Sequence, residues 1–356
     1  MNRLENKILA LLETGQSVAL ATIVSLSGSA PRTPGTRMVV LADGTILGTI
    51  GGGRLEAEVI QAGLESLRSG RGRLRRFALT GTDTSEMDMI CGGVLDVLVE
   101  PLPATAENIA LLRTFGRLRA TGKELLMIST LRDDPGEPGR LISERLLVER
   151  STDGPVFHPA RPVNHELLQP LLETAMAGRC AKLFSLETMR VVIEPVPAFT
   201  TIHLFGAGHV SREVAVLAQR VDFRVEVSDD RTEFANSQRF PQADAVLVPK
   251  DMATALEPTR IHPDSYVVIL TRGHKYDMDI LAQALRTEAR YIGMIGSRRK
   301  RDAIYEALRG QGFTDTDFSR VHCPIGLDIH AETPAEIALS IVGELVNVRA
   351  ANRKPT

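Results

Sequence analysis

Two patterns of apolar spacing divide the chain. From Thr201 onward, short apolar runs near 202–205, 223–227, 245–248, 266–271 and 290–294 have strand character. Segments near 209–220, 277–287, 298–309 and 334–348 between and after them place apolar residues at helical spacing. Strands alternating with helices predict a doubly wound parallel sheet. The last helix opens on Thr333-Pro334-Ala335-Glu336, a capping box with proline at the first helical position, and continues as an apolar stripe of Ile337, Ile341, Val342 and Leu345.

The first 197 residues mix the two periods, which predicts an α+β domain. A short amphipathic helix (Leu4, Ile8, Leu11, Leu12) precedes a strand over 17–25 with Val18, Leu20, Thr22 and Val24 on one face. Strands at 38–41 and 45–50 form a hairpin across Ala42-Asp43-Gly44. A helix follows from about Arg54, then strands at 74–79 and 94–100. Further on, the pattern predicts a helix at 106–120, strands near 124–131 and 141–149, a helix at 165–177 and a strand at 189–194. Val99-Glu100-Pro101-Leu102-Pro103 returns loosely as Ile193-Glu194-Pro195-Val196-Pro197. A strand with a proline exit is common, so this phrase does not define a repeat. The junction falls at 195–199, giving domains of 1–197 and 200–356.

Composition narrows the function without naming it. The chain has 356 residues and a net charge of −2, which offers no reason to expect nucleic acid or an anionic membrane as partner. Cys91, Cys180 and Cys323 form no Cys-x-x-Cys pair, so neither a disulfide framework nor a zinc knuckle is indicated. No run is long and apolar enough to span a bilayer, and the N-terminus lacks a cleavage pattern. A cytoplasmic protein is the expectation.

The chemistry collects at predicted strand ends. The first strand of the C-terminal half ends in Gly206-Ala207-Gly208-His209 and the second in Asp229-Asp230. Strand, glycine turn, helix, strand, acid is the dinucleotide-binding fingerprint of a Rossmann-like fold, with Ser211 where a third Gly or Ala is usual. Gly206 and Gly208 let a backbone approach phosphate at a helix N-terminus, and Asp229 is placed for a ribose hydroxyl. The fourth strand ends in Thr271-Arg272-Gly273-His274, the fifth in Gly296-Ser297-Arg298-Arg299-Lys300-Arg301. Ser297 is a candidate N-cap; Arg298 and its basic neighbours oppose the helix dipole and make sense beside a bound anion. His274 and Asp277 lack a third ligand, so no metal site is expected. In the N-terminal half, Gly51-Gly52-Gly53 is a second strand-to-helix glycine turn, and Cys91 precedes Gly92-Gly93 in a setting that suits soft-metal or sulfur chemistry.

Together these stretches resemble the XdhC/CoxI family, the accessory factors of xanthine dehydrogenase and related molybdenum hydroxylases. The resemblance rests on Gly28-Ser29-Ala30-Pro31-Arg32-x-x-Gly35, Gly48-Thr49-Ile50-Gly51-Gly52-Gly53-x-Leu55-Glu56, Cys91-Gly92-Gly93, Phe205-Gly206-Ala207-Gly208-His209-Val210, Gly293-Met294-Ile295-Gly296-Ser297-Arg298-Arg299-Lys300, and Pro324-Ile325-Gly326-Leu327 with Thr333-Pro334-x-Glu336. It implies an accessory protein without turnover of its own. Such a protein binds molybdenum cofactor (molybdopterin, free or as a dinucleotide), supports its sulfuration with a cysteine desulfurase and delivers it to an apo molybdenum hydroxylase. Cys91 would be the cofactor-binding thiol, with Arg32, Gly51 to Gly53, Gly92, Gly206, Gly208, His209, Asp229, His274, Ser297 and Arg298 as the remaining cofactor-binding residues. Assembly into a homo-oligomer is expected. An NAD(P)-dependent oxidoreductase and a protein that holds nucleotide as scaffold or signal are the alternatives the fingerprint leaves open.

Overall fold

The computed structural model describes residues 4–30, 32–78, 92–120, 123, 125–151, 154–159, 165–176, 178, 180–197, 199–259 and 261–351. They divide into two units, one ending at residue 197 and the other beginning at Phe199.

The N-terminal unit runs α1 (Leu4–Glu13), β1 (Val18–Ser27), β2 (Arg37–Val40), β3 (Ile46–Gly48), α2 (Gly53–Ser69), β4 (Arg73–Ala78) and β5 (Val94–Leu102). It continues with α3 (Ala106–Ala120), β6 (Leu125–Asp133), β7 (Leu141–Ser151), β8 (Gly154–His158), α4 (His165–Met176), β9 (Lys182–Ser185) and β10 (Arg190–Val196). Helix, three strands, helix, two strands therefore occurs twice. The two antiparallel sheets have the same order, β3-β2-β1-β5-β4 and β8-β7-β6-β10-β9.

Register makes the correspondence residue by residue. Thr22 stands opposite Arg37 and Leu98 in the first sheet, and Ser129 opposite Arg145 and Val192 in the second. Helix α1 covers Val18, Leu20, Val39 and Leu102, while α3 covers Leu125, Met127, Leu147 and Val196 at the matching positions. Val24, Leu98, Leu131, Leu141 and Val192 form a core shared by both sheets. The halves also exchange ion pairs: Arg37 of β2 binds Glu194 of β10, and Arg145 of β7 binds Glu100 of β5 at 2.5 Å. Glu100 and Glu194 are the acids of the Val-Glu-Pro and Ile-Glu-Pro phrases. The unit is thus an internal structural repeat, which corrects the sequence expectation. Apart from the Arg, the Glu and the hydroxyls of Thr22 and Ser129, most of the matched residues keep only apolar character, and apolar character alone does not distinguish a repeat from any two half-buried strands.

The C-terminal unit runs β11 (Thr201–Phe205), α5 (His209–Arg220), β12 (Arg224–Ser228), β13 (Ala245–Leu247), β14 (Ser265–Ile269), α6 (His274–Leu285), β15 (Tyr291–Met294), α7 (Arg298–Arg309), α8 (Asp315–Phe318), β16 (Val321–His322) and α9 (Pro334–Ala351). All five strand pairings are parallel, in the order β13-β12-β11-β14-β15-β16. This is the doubly wound sheet the alternation predicts. Helices α5 and α9 pack on one face with Ile202, Leu204, Val225 and Val227; α6 and α7 pack on the other with Phe205, Val267 and Ile269. The order reverses between β11 and β14, so the loops after these neighbours diverge to opposite faces and leave a crevice beyond their carboxyl ends.

Candidate anion-binding site

Three helices begin beside this crevice. Helices α5 and α6 are capped by Gly208 and Gly273, neither with a side-chain cap, so the first-turn amides of both point outward without a protein partner of that kind. Their first residues, His209 and His274, are exposed. At α7, Ser297 is the N-cap the sequence suggests, its hydroxyl accepting from the Lys300 amide at 3.2 Å. Arg298 and Arg299 are exposed and carry no ion pair among the described residues.

The two glycines of the turn have different physical reasons. Gly206 has φ 103°, and a β-carbon there would lie 2.3 Å from the Leu270 carbonyl oxygen, so both the turn and the close approach of β14 demand glycine. Gly208 has φ −75°, a conformation open to any residue, and a β-carbon there would meet nothing within 4 Å. Neither the fold nor the packing of the chain requires it. The open space it leaves, over a helix start without a side-chain cap, gives a phosphate room to approach the backbone. Ser211, at the third fingerprint position, is fully buried in the first turn of α5, where the usual small residue lets helix and strand approach.

The fingerprint acid is differently employed than the sequence suggests. Asp229 is 3% exposed, and its oxygens accept from the Ala207 amide (2.8 Å), the Arg231 amide (3.1 Å) and the Arg231 guanidinium (2.8 and 2.9 Å). Burial by itself raises its pKa, yet the hydrogen bonds from Arg231 and Ala207 outweigh it and hold the carboxyl below the usual aspartate range. With four donors already on it, Asp229 ties β12 to the glycine turn and has little capacity for a ribose hydroxyl. Its neighbour Asp230 instead accepts from Arg272 at 2.9 Å and from the Tyr276 hydroxyl at 3.2 Å.

His274 and Asp277 do not form a pair. Asp277 is fully buried, accepts from the Thr271 hydroxyl at 2.7 Å and binds Lys300, whose ammonium also reaches the Ile295 carbonyl at 3.3 Å. One cation of the basic run thus turns inward to neutralise a buried carboxylate, and Arg301 pairs with Asp302. Among the described residues no group of His, Cys, Asp and Glu is placed to hold a metal ion. Cys323 is 9% exposed, and burial pushes its thiol up to about 11, which makes it a poor nucleophile.

In the N-terminal unit, Gly52 and Gly53 have φ 83° and 61° with open space around them, positive values that favour glycine at the α2 start, where Gly52 caps the helix without a side-chain bond. Thr49 latches the turn, donating to Glu56 at 2.6 Å and accepting from the Gly51 amide at 3.2 Å. Ser29 bridges Gly92, and a β-carbon on Gly93 would lie 2.3 Å from the Ser29 carbonyl oxygen. The Gly28-Ser29 and Gly92-Gly93 motifs, far apart in sequence, are therefore packed backbone to backbone. Arg32 is exposed on the same loop. Cys91 lies outside the described residues.

Sequence reasoning did not single out Arg231, Arg272 and Tyr276 as functional side chains of this region. Arg231 and Arg272 follow strand ends and Tyr276 lies in the first turn of α6, but their pairing with Asp229 and Asp230 is not readable from the sequence.

No helix among the described residues is long and apolar enough to cross a membrane. The XdhC Rossmann domain model matches residues 202–345, and that of the XdhC and CoxI family matches residues 11–78. The chain is 27% identical over 333 residues to the uncharacterized protein YqeB of Escherichia coli (strain K12), covering 93% of this chain and 43% of that protein. It thus spans less than half the length of this relative. It is 27% identical over 355 residues to a probable xanthine dehydrogenase subunit of Bacillus subtilis (strain 168), covering 96% of each. Identity to the "Molybdenum cofactor insertion chaperone PaoD" of Escherichia coli (strain K12) is 22% over 338 residues, 95% of this chain and 85% of that one. The crystal structure of a xanthine dehydrogenase from Bacillus halodurans superposes with a TM-score of 0.76 at 25% identity, covering 98% of this chain and 96% of that one.

Proposed function

Since the chain belongs to the XdhC and CoxI family, we propose that it is an accessory factor for a xanthine dehydrogenase-type molybdenum hydroxylase. In this reading it binds molybdenum cofactor as cargo, protects it, supports its sulfuration by a cysteine desulfurase and hands it to the apo-enzyme. The observation that carries the reading is the Gly208 cradle, a gap the fold does not need, beside uncapped helix starts. Arg298 and Arg299, without an ion pair among the described residues, stand at the start of the third helix.

These residues fit the phosphate end of a pterin, or the pyrophosphate of a pterin dinucleotide. Amides of α5 and α6 supply donors, and the cations supply charge. Within the N-terminal unit taken by itself, Cys91, which precedes Gly92 in the sequence, is the soft donor proposed for molybdenum or sulfur. The names of the relatives from Bacillus subtilis and Escherichia coli point the same way. An NAD(P)-dependent dehydrogenase fits less well, because Asp229 is saturated by Arg231 and Ala207, and His274 has no acidic partner among the described residues.

The test is anaerobic. Purified chain is mixed with molybdenum cofactor released from a molybdoenzyme, bound and free fractions are separated, and retained molybdenum and pterin are measured. Wild type should retain both, and Gly208→Ala and Cys91→Ala should each retain less. Retention by Cys91→Ala equal to wild type overturns the role of the thiol, and equal retention by Gly208→Ala overturns that of the crevice.

A further inference from the structure

Asp230 follows β12 and Arg272 follows β14, and the sheet order puts β11 between them. Adjacent strands lie about 4.8 Å apart, so the two residues reach over roughly twice that distance to meet. Their hydrogen bond (2.9 Å), together with the bond from the Tyr276 hydroxyl to the same carboxylate oxygen (3.2 Å), is a strap that passes the carboxyl end of β11. That end carries Gly206-Ala207-Gly208. The Arg272 guanidinium also sits 5.5 Å from the centroid of the Tyr276 ring.

The two acids of the Asp229-Asp230 pair differ in how firmly they are committed. Asp229 is buried and takes four donors. The Asp230 side chain is 22% exposed and gathers its bonds on one oxygen; the other has only the Arg231 Nε at 3.9 Å. Arg272 is 48% exposed, and among the described residues only its Nη2 is hydrogen-bonded, which leaves Nε and Nη1 open. A single-bond ion pair this exposed is worth at most about fivefold in an equilibrium. A phosphate offers more oxygens and more charge, and can bind the guanidinium through two parallel bonds.

We propose that Arg272 is a phosphate-binding side chain of the crevice and that Asp230 is its resident counter-anion, displaced when a phosphorylated ligand arrives. The proposal rests on the crevice reading above and deepens it. Without ligand, Asp230 keeps Arg272 extended across the glycine turn. With ligand, the strap opens and Arg272 closes on the phosphate that the Gly208 cradle admits. Asp230 therefore lowers affinity for every anion and discriminates against weakly charged ones.

The experiment is calorimetric titration of the full chain with inorganic pyrophosphate at fixed salt, with melting temperatures taken to confirm that each variant is folded. Asp230→Asn is expected to bind about two- to fivefold tighter than wild type. Arg272→Ala should bind at least tenfold weaker, and Asp230→Asn combined with Arg272→Ala as weakly as Arg272→Ala alone, since the gain depends on a freed arginine. Weaker or unchanged binding by Asp230→Asn, or unchanged binding by Arg272→Ala, overturns the proposal. If Gly208→Ala loses binding while both strap variants behave as wild type, the strap is wrong and the crevice stands. If neither wild type nor Asp230→Asn binds pyrophosphate, the crevice reading fails and the strap with it.

Discussion

Alanine at Gly206 and alanine at Gly208 add the same methyl group two residues apart, yet the structure assigns them opposite consequences. At Gly206 a side chain is forced into φ 103°, and strain of this kind costs about 1–3 kcal/mol. The methyl also falls 2.3 Å from the Leu270 carbonyl oxygen, which is backbone and cannot swing aside; overpacking of this sort adds about 1–3 kcal/mol. The sum is about 2–6 kcal/mol, and at roughly 2–4 °C per kcal/mol the C-terminal unit should melt roughly 4–24 °C lower. At Gly208 neither cost exists. The lost flexibility of the unfolded chain favours alanine by about 0.4–1 kcal/mol, which offsets its poor standing as an N-cap, so stability should stay within about 1 kcal/mol of wild type. Binding should reverse the ranking. The Gly208→Ala methyl fills the space above the α5 amides and should weaken pyrophosphate binding at least tenfold, about 1.4 kcal/mol. Calorimetric melting and calorimetric titration of both variants decide the matter. If Gly208→Ala melts as low as Gly206→Ala, or binds pyrophosphate like wild type, the assignment of separate roles to the two glycines is refuted.

The exchanged ion pairs of the N-terminal unit give a second prediction. Arg145→Met strands the Glu100 carboxylate, whose side chain is 3% exposed, and should cost about 3–5 kcal/mol in denaturant unfolding. Adding Glu100→Leu should restore most of that; no recovery in the double variant would show that the pair is not the source. Acid stability gives a third. Asp229 has a folded pKa below its unfolded value, so its contribution is complete above the usual aspartate value near 4 and is lost as pH falls through the lower folded value. Asp229→Asn should therefore lower the melting temperature of the C-terminal unit at pH 7 but change it progressively less as pH drops from about 4 toward 2. A difference from wild type that is constant over that window would contradict the linkage.

What the sequence made legible follows from the range of the interactions involved. The parallel sheet was readable because each strand and helix carries its own period. The capping of α9 was readable because Thr333 and Glu336 bond each other's amides over three residues. Helix α6 begins at His274, before the predicted 277, since Gly273 caps it without the Ser, Thr, Asp or Asn that marks a start. Strands β8 and β9 and the elements α8 and β16 hold only two to five residues each, too few to show a period. The repeat was masked because Leu20 and Met127, or Leu102 and Val196, share a role without sharing an identity. At the site, the glycine turn and the N-cap Ser297 were visible as local motifs. The commitment of Asp229 to Arg231, the link from Asp230 to Arg272 and the burial of Lys300 against Asp277 were not. Arg231 sits two residues from Asp229, but which way its side chain turns is decided by tertiary packing, and the other two pairs close only when the strand ends converge.

The most direct measurement is anaerobic purification of the chain from cells that make molybdenum cofactor, followed by quantification of molybdenum and released pterin. The account predicts that both accompany the protein in equal amounts and that both fall in the Gly208→Ala and Cys91→Ala variants. Wild-type protein free of molybdenum and pterin, from cells whose molybdenum hydroxylase is active, would contradict it.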